Sequence, residues 1–295
     1  MVAVSNNKIN IPKKKGHLIK IGLIQNSVSN DIDKNLALTE KLIGKAASKG
    51  AEIICLQELF ALTYIGQEEN KKWFSLAEQI PGKTSNFLQE VAKKHKVNLV
   101  GGSIFENDKG KYYNTALVIN KKGEILGKYR KVHIPHDEHY YEQFYFSGGD
   151  KFVQTEIEGV KIAPLICYDQ WFPEAARINV LNGAQILFYP TAIGWFDVLK
   201  KNEPWSKKRW QQAMASHASL NGIYTVGVNR VGKEGVLTFW GGSCIADPFG
   251  EIIAEASENE EVLVVEIDLE KNNQSQEGWL FLKNRKPSSY KDLIR

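Results

Sequence analysis

The chain has 295 residues, of which 43% are hydrophobic and 24% are charged, and its formal net charge is +4. This composition is typical of a globular protein, and the chain is long enough for a sizeable core. Basic residues are interleaved with acidic ones and no run approaches ~20 apolar residues, so we expect neither a nucleic-acid nor a membrane partner.

The chain contains three cysteines, Cys55, Cys167 and Cys244, each in a β-type run. An odd number of cysteines without a Cys-x-x-Cys pair argues against a disulfide framework and against a zinc cluster. We therefore expect a reducing compartment and predict a cytoplasmic protein.

The first third of the chain predicts a polar, flexible tail followed by a β-α-β unit. The tail covers residues 1–16, and apolar spacing predicts a strand at 18–24, a helix through 36–47 and a strand at 51–56.

The middle of the chain breaks the simple alternation. The pattern predicts a helix at 84–96, a strand at 98–105 and a β-hairpin of 112–119 and 125–129. Residues 132–146 are too polar for a buried strand and too aromatic for a linker, so we predict a loop that lines a site.

Alternation of strands and helices resumes after residue 160, which predicts one α/β domain over residues 17–270. We expect residues 271–295 to form a C-terminal arm at an oligomer interface. The predicted elements are strand 160–166, a helix from Pro173, strand 185–189, helix 205–221, strand 224–228, hairpin 242–246 and 252–254, and strand 262–267.

Cys167 stands at the predicted junction of a strand and a helix. The N-terminus of a helix offers backbone N–H groups and partial positive charge, which favour a thiolate and could hold an oxyanion. The alternative is an inert cysteine in the core.

Three chemically useful residues, Glu58, Lys131 and Cys167, each follow an apolar or β-type run. Ligands of α/β folds gather at the carboxyl ends of strands, so these residues can converge. A carboxylate can take the thiol proton, and a buried lysine can favour the thiolate and stabilise an oxyanion, as acyl transfer from an amide-like carbon requires. A Cys-His pair stays open as an alternative, with His133, His136 or His139 as its second member.

The stretches around these residues, at 56–60, 129–135 and 166–169, resemble the three motifs of the nitrilase superfamily of carbon-nitrogen hydrolases, and the similar region spans 18–268. The resemblance implies an α/β fold, a four-layer α-β-β-α sandwich, and a homo-oligomer whose dimers stack their sheets. It also implies roles for four residues: Cys167 as nucleophile, Glu58 as base, Lys131 as oxyanion stabiliser and Glu142 as a second, positioning glutamate.

Further stretches, at 133–137, 140–146, 169–177, 189–195 and 229–232, resemble the branch that hydrolyses the terminal ureido group of N-carbamoylputrescine. The products would be putrescine, carbon dioxide and ammonia, a step from agmatine to polyamines. The expected partner is a small molecule with a ureido group and a cationic amine. We expect no metal and no organic cofactor, because the chain supplies nucleophile and base. Departures from the branch pattern are Tyr168 in place of Trp, Cys244 and Asp247.

A primary ammonium requires carboxylates and aromatic faces. A carbamoyl amino acid would instead require a guanidinium, which Arg177 or Arg230 could supply. Aliphatic amidase or nitrilase activity and a catalytically silent binding protein also stay open. The residues predicted to bind the substrate are Asp137, Tyr141, Trp171, Thr191, Trp195 and Trp240.

Overall fold

A computed structural model describes residues 17–294, so the predicted flexible tail at 1–16 lies outside the described residues. The α-helices are α1 (Ile32–Ser48), α2 (Lys83–His95), α3 (Pro173–Leu181), α4 (Asp197–Asn202), α5 (Ser206–Asn221) and α6 (Glu270–Trp279). The strands are β1 (Leu18–Gln25), β2 (Ile53–Cys55), β3 (Asn98–Val100), β4 (Ile104–Asp108), β5 (Lys111–Ile119), β6 (Ile125–Arg130), β7 (Thr155–Ile157), β8 (Val160–Pro164), β9 (Ile186–Pro190), β10 (Gly194–Trp195), β11 (Tyr224–Val228), β12 (Val231–Glu234), β13 (Leu237–Trp240), β14 (Cys244–Ala246), β15 (Ile252–Glu255) and β16 (Glu261–Asp268).

These strands form two large mixed sheets and one small sheet. The first large sheet has the order β16-β1-β2-β3-β5-β4, with β6 also paired to β5. The second has the order β15-β14-β11-β9-β8-β7, and the small sheet has the order β10-β13-β12. In each large sheet three adjacent strands run parallel, β1, β2 and β3 in the first and β8, β9 and β11 in the second.

The two large sheets pack face to face through continuous apolar side chains. Ile21 and Ile53 of the first sheet share one buried cluster with Ile162, Phe188 and Val226 of the second. Both faces of each sheet are covered, so their central strands are apolar throughout rather than alternating.

Helices cover the outer faces of both sheets. Ile43 of α1 and Leu88 of α2 pack with Ile54 of the first sheet, whereas Ala176 of α3 and Met214 of α5 belong to a cluster on the second. The layers therefore follow the order α-β-β-α, which confirms the predicted four-layer sandwich.

One predicted strand is wrong in its extent. Residues 98–105 form two strands, β3 and β4, because Gly102 adopts a positive φ of 58°. A Cβ at Gly102 would lie 2.2 Å from the carbonyl oxygen of Gln57, so the chain passes here directly behind the segment that carries Glu58.

The predicted C-terminal arm begins inside helix α6. Asn272 Nδ2 donates to the carbonyl of Gln185 at 2.9 Å, and Ser275 Oγ donates to that of Pro248 at 2.9 Å, so α6 is docked on the domain. Its role at an oligomer interface stays a prediction. Within residues 17–294, no helix is both long enough and apolar enough to cross a membrane.

Candidate active site

Three strand exits carry the predicted catalytic residues. Glu58 follows β2, Lys131 directly follows β6, and Cys167 follows β8. The side chains of Glu58 and Lys131 are fully buried, and Cys167 is 6% exposed. The fold therefore places a carboxylate, an ammonium and a thiol in one water-poor region, where charges act on one another strongly.

Lys131 lies between two carboxylates. Its Nζ is 2.8 Å from Glu58 Oε1 and 2.7 Å from Glu142 Oε2. Burial alone would lower the pKa of Lys131, but the charges of Glu142 and Glu58 outweigh it and raise the pKa above its usual value. Lys131 therefore stays cationic and holds the two glutamates in place.

The two oxygens of Glu58 have different surroundings. Oε1 accepts from Lys131 and, at 2.8 Å, from Asn114 Nδ2. Oε2 is buried and has no hydrogen-bond partner among the described residues. An unpartnered carboxylate oxygen beside a thiol is what a general base requires.

Glu142 has both oxygens occupied. Tyr64 Oη donates to Oε1 at 2.7 Å, and Lys131 holds Oε2. Burial raises the pKa of Glu142, and Lys131 opposes that rise. This arrangement suits a residue that orients Lys131 rather than one that accepts a proton.

Cys167 begins a 3₁₀ turn, Cys167–Trp171, and α3 begins only at Pro173. The predicted nucleophile therefore does not stand at the N-terminus of an α-helix, as the sequence had suggested. Its φ is +41°, a conformation that non-glycine residues rarely adopt. Asp169 holds this turn, because its Oδ2 accepts from the backbone N–H of Ile166 at 2.9 Å and from Tyr129 Oη at 2.6 Å.

The surroundings of Cys167 favour the thiol over the thiolate. Burial raises its pKa well above the usual value of 9.0, and the charge of Glu58 raises it further. Lys131 and a hydrogen bond from the backbone of Ala192 act in the opposite direction and are outweighed. Two buried carboxylates and one ammonium therefore surround the sulfur, and this charge balance opposes the thiolate that the sequence reasoning favoured.

The histidines form contacts away from the sulfur. His133 Nδ1 lies 2.7 Å from Asp169 Oδ1, and its ring stacks on Phe172 at 3.7 Å. The rings of His136 and His139 pack against Tyr141. None of these three histidines lines the Cys167 cleft, and their contacts are with Asp169, Phe172 and Tyr141, so the described residues do not support a Cys-His pair at this cysteine.

Cys167 opens into a cleft of about 440 Å³. Three of the predicted substrate-binding residues, Asp137, Trp171 and Trp240, line it. Trp195 packs against the Trp240 ring at 4.8 Å and does not itself contribute to the lining.

Two other predicted binders lie away from the cleft. Thr191 is buried, and its Oγ1 donates to the carbonyl of Tyr189 at 2.9 Å. Tyr141 turns toward the ring of His136, 5.7 Å away. Thr191 instead contacts the main chain of the predicted base, because its carbonyl accepts from the backbone N–H of Glu58 at 3.3 Å.

The cleft also contains residues that the sequence reasoning did not assign to substrate. Glu203 lies in the link between α4 and α5, and Arg209 lies in the first turn of α5, 5.7 Å from the Trp171 ring. Nothing in the local pattern around either residue indicates a ligand. Tyr140 and Tyr168 line the cleft as well, so the departure at Tyr168 is in contact with the site.

The two arginines that were considered for a substrate carboxylate do not reach the cleft. Arg177 Nη2 donates to the carbonyl of Leu220 at 2.9 Å, on the outer helical layer. Arg230 is fully buried, and its Nη1 pairs with Glu234 Oε1 at 2.7 Å. Arg209 lines the cleft, whereas Arg177 and Arg230 do not.

A buried thiol, carboxylate and ammonium at the strand ends of an α-β-β-α sandwich are the parts of a hydrolase that works through a cysteine. The chain belongs to the carbon-nitrogen hydrolase family, which it matches over residues 20–275. It is 39% identical to the N-carbamoylputrescine amidase of Solanum lycopersicum, with 95% of this chain and 96% of that protein covered. It is 37% identical to a citrullinase of Francisella tularensis, with 94% and 98% covered. The crystal structure of a carbon-nitrogen hydrolase from Helicobacter pylori has a TM-score of 0.91 at 38% identity and covers 95% of this chain and 99% of its own.

Proposed function

We propose that this protein hydrolyses the terminal ureido group of N-carbamoylputrescine to putrescine, carbon dioxide and ammonia. The observation that carries the proposal is the buried ion cluster beside Cys167, in which Glu58 keeps one oxygen free. The similarity to plant N-carbamoylputrescine amidases supports this choice of substrate.

The first half of the reaction forms a thioester. Cys167 Sγ attacks the ureido carbon while its proton passes to Glu58 Oε2, so that no free thiolate has to form in a site that disfavours it. The carbonyl oxygen becomes an oxyanion, and the cationic Lys131 stabilises it. One nitrogen then leaves as an amine, taking the proton from Glu58.

The second half returns the enzyme to its starting state. Glu58 takes a proton from water, the hydroxide adds to the thioester carbon, and the C–S bond breaks. The sulfur recovers its proton, and the released carbamate loses carbon dioxide and yields the remaining amine. Glu142, held by Tyr64, keeps Lys131 in position through both halves.

The outer cleft suits the cationic end of the substrate. Asp137 and Glu203 supply carboxylates and Trp171 supplies an aromatic face, which together offset the cost of removing an ammonium from water. We propose Glu203 as an ammonium partner because it is less exposed than Asp137.

One observation favours a second candidate substrate. Arg209 lines the cleft without an ion-pair partner among the described residues, so it could bind the carboxylate of a ureido amino acid. The similarity to a citrullinase points the same way. Activity on citrulline that Arg209→Gln removes, with N-carbamoylputrescine hydrolysis retained, would establish this second activity.

The test is an ammonia-release and mass-spectrometric assay on N-carbamoylputrescine, N-carbamoyl-β-alanine, citrulline and a simple nitrile. We expect preferential formation of putrescine, and loss of turnover in a normally folded Cys167→Ala variant. Wild-type turnover in that variant would overturn the mechanism, and preference for another compound would overturn the substrate.

A matched pair of substrates tests the ammonium site separately. N-butylurea keeps the ureido group and the carbon chain but lacks the ammonium. Glu203→Gln should raise the KM for N-carbamoylputrescine about tenfold, which corresponds to ~1.4 kcal/mol, and leave the KM for N-butylurea unchanged. Equal effects on both compounds would contradict the assignment of Glu203.

A further inference from the structure

Arg230 is a buried arginine that lies outside the cleft but touches the segment that carries Glu58. Its Nη2 donates to the main-chain carbonyls of Glu58 at 2.6 Å and of Leu59 at 3.0 Å. Its Nη1 donates to the carbonyl of Leu62 at 3.3 Å. A single guanidinium therefore holds three carbonyls of the turn that begins at the proposed base.

Glu234 holds the same segment at its other end. Its Oε1 accepts from Arg230 Nη1 at 2.7 Å, and its Oε2 accepts from the backbone N–H of Tyr64 at 2.6 Å. Tyr64 in turn donates its hydroxyl to Glu142. The Arg230–Glu234 pair thus contacts the main chain of Glu58 and the main chain of Tyr64, whose hydroxyl donates to Glu142. Glu58 and Glu142 are the two carboxylates that flank Lys131.

The turn that this pair holds is strained. Leu59, directly after Glu58, has a φ of +45°, a region that costs ~1–3 kcal/mol for a residue with a side chain and persists only where its surroundings enforce it. Ser103 Oγ accepts from the backbone N–H of Leu59 at 2.8 Å, and Arg230 donates to the carbonyl of Leu59. Without Arg230 or Glu234 the turn would relax, and the carboxylate of Glu58 would move with it.

We infer that Arg230 and Glu234 form a positioning pair that directs the carboxylate of Glu58 toward Cys167, although neither residue lines the cleft. The inference rests on the proposed role of Glu58 as general base. The guanidinium is fully buried and its two terminal nitrogens hold three carbonyls and a carboxylate, so it does not reach a substrate in the cleft.

Glu234→Gln is the main test variant, because it keeps the shape of the side chain and removes its charge. We expect kcat per titrated Cys167 to fall at least tenfold, with KM within about twofold of the wild type. Arg230→Lys keeps the charge but loses the planar fork, and it should change kcat in the same direction. Asp247→Asn is the matched control: it removes another buried, paired carboxylate, whose contacts are Lys271 and its own turn, and kcat should stay unchanged.

A second measurement does not depend on turnover. Glu58 disfavours the Cys167 thiolate, so its displacement should make iodoacetamide label Cys167 faster at pH 8 in Glu234→Gln than in the wild type and the Asp247→Asn control. A folded Glu234→Gln protein with wild-type kcat and wild-type labelling would overturn the inference. If the wild type does not hydrolyse the ureido substrate, the proposed function fails, and the labelling comparison still decides whether the pair positions Glu58.

Discussion

Glu58→Gln should lower kcat and, at the same time, raise the rate at which the Cys167 thiol is alkylated. The substitution keeps an oxygen for Lys131 and Asn114 but removes the basic Oε2. General base catalysis contributes about 10²–10⁴-fold to rates. Both oxygens of Glu142 are occupied, so it cannot substitute as base, and we expect kcat to fall by ~10³–10⁴, or about 4–5.5 kcal/mol.

The same substitution should make the sulfur easier to ionise. Burial, which is the main cause of the raised Cys167 pKa, is unchanged, but the charge of Glu58, the next cause, is removed. The pKa therefore falls, and each unit gives ~10-fold more thiolate at a fixed pH below the pKa. Labelling by iodoacetamide at pH 8, followed by peptide mass spectrometry, should be faster in Glu58→Gln. Peptide mapping assigns the label to Cys167 rather than to Cys55 or Cys244, which are also buried and also have raised pKa values.

Glu142→Gln is the control for Glu58→Gln, because both variants remove one carboxylate from Lys131. It should accelerate labelling less, since Glu142 affects the Cys167 pKa less than Glu58 does, and it should leave Glu58, the proposed base, in place. A kcat of Glu58→Gln within threefold of the wild type, or slower labelling of its sulfur, would refute the reasoning.

Three further predictions concern stability and assembly. Tyr64→Phe leaves Glu142 Oε1 without its donor, so the free energy of unfolding in urea should fall by ~1–3 kcal/mol; an unchanged value would contradict a functional hydrogen bond. Burial alone would raise the pKa of Glu106, but hydrogen bonds from Arg130 and other donors lower it below the usual 4.5. Its contribution is therefore fully present above pH 4.5 and is lost as the pH falls through the lowered pKa, so Glu106→Gln should cost more stability at pH 7 than at acidic pH. Finally, if the arm is at an oligomer interface, deletion of residues 281–295 should lower the number of protomers per particle, as calculated from the mass in light scattering. An unchanged number of protomers would disprove that role.

The apolar runs carried most of the fold prediction. Strands such as β9 and β11 are buried on both faces, and Gly or Pro marks several of the element ends, so continuous hydrophobicity was sufficient to find them. The small sheet of β10, β12 and β13 was missed because these strands have two to four residues. β12 and β13 form a local hairpin, whereas the pairing of β10 with β13 joins segments distant in the chain, which periodicity does not encode.

The site was predictable to the extent that its residues follow strands. Glu58, Lys131 and Cys167 could be expected to converge, but the protonation of the sulfur depends on the sum of charges from several segments. Tyr64 lies 78 residues from Glu142, and their hydrogen bond has no sequence signal. Glu203 lies in a polar link, where an acidic residue is ordinarily a solvated surface charge.

The pairing of β1 with β16 joins the two ends of the domain in one sheet, with Leu18 opposite Asp268 and Gln25 opposite Glu261. During synthesis, β1 and β2 emerge early, and β16 leaves the ribosome last among the strands. Until then β1 is an exposed edge with free hydrogen-bonding groups, the kind of surface that recruits other chains. Nascent or prematurely ended chains that lack β16 should therefore depend on chaperones to stay dispersed, whereas the finished chain closes this edge itself.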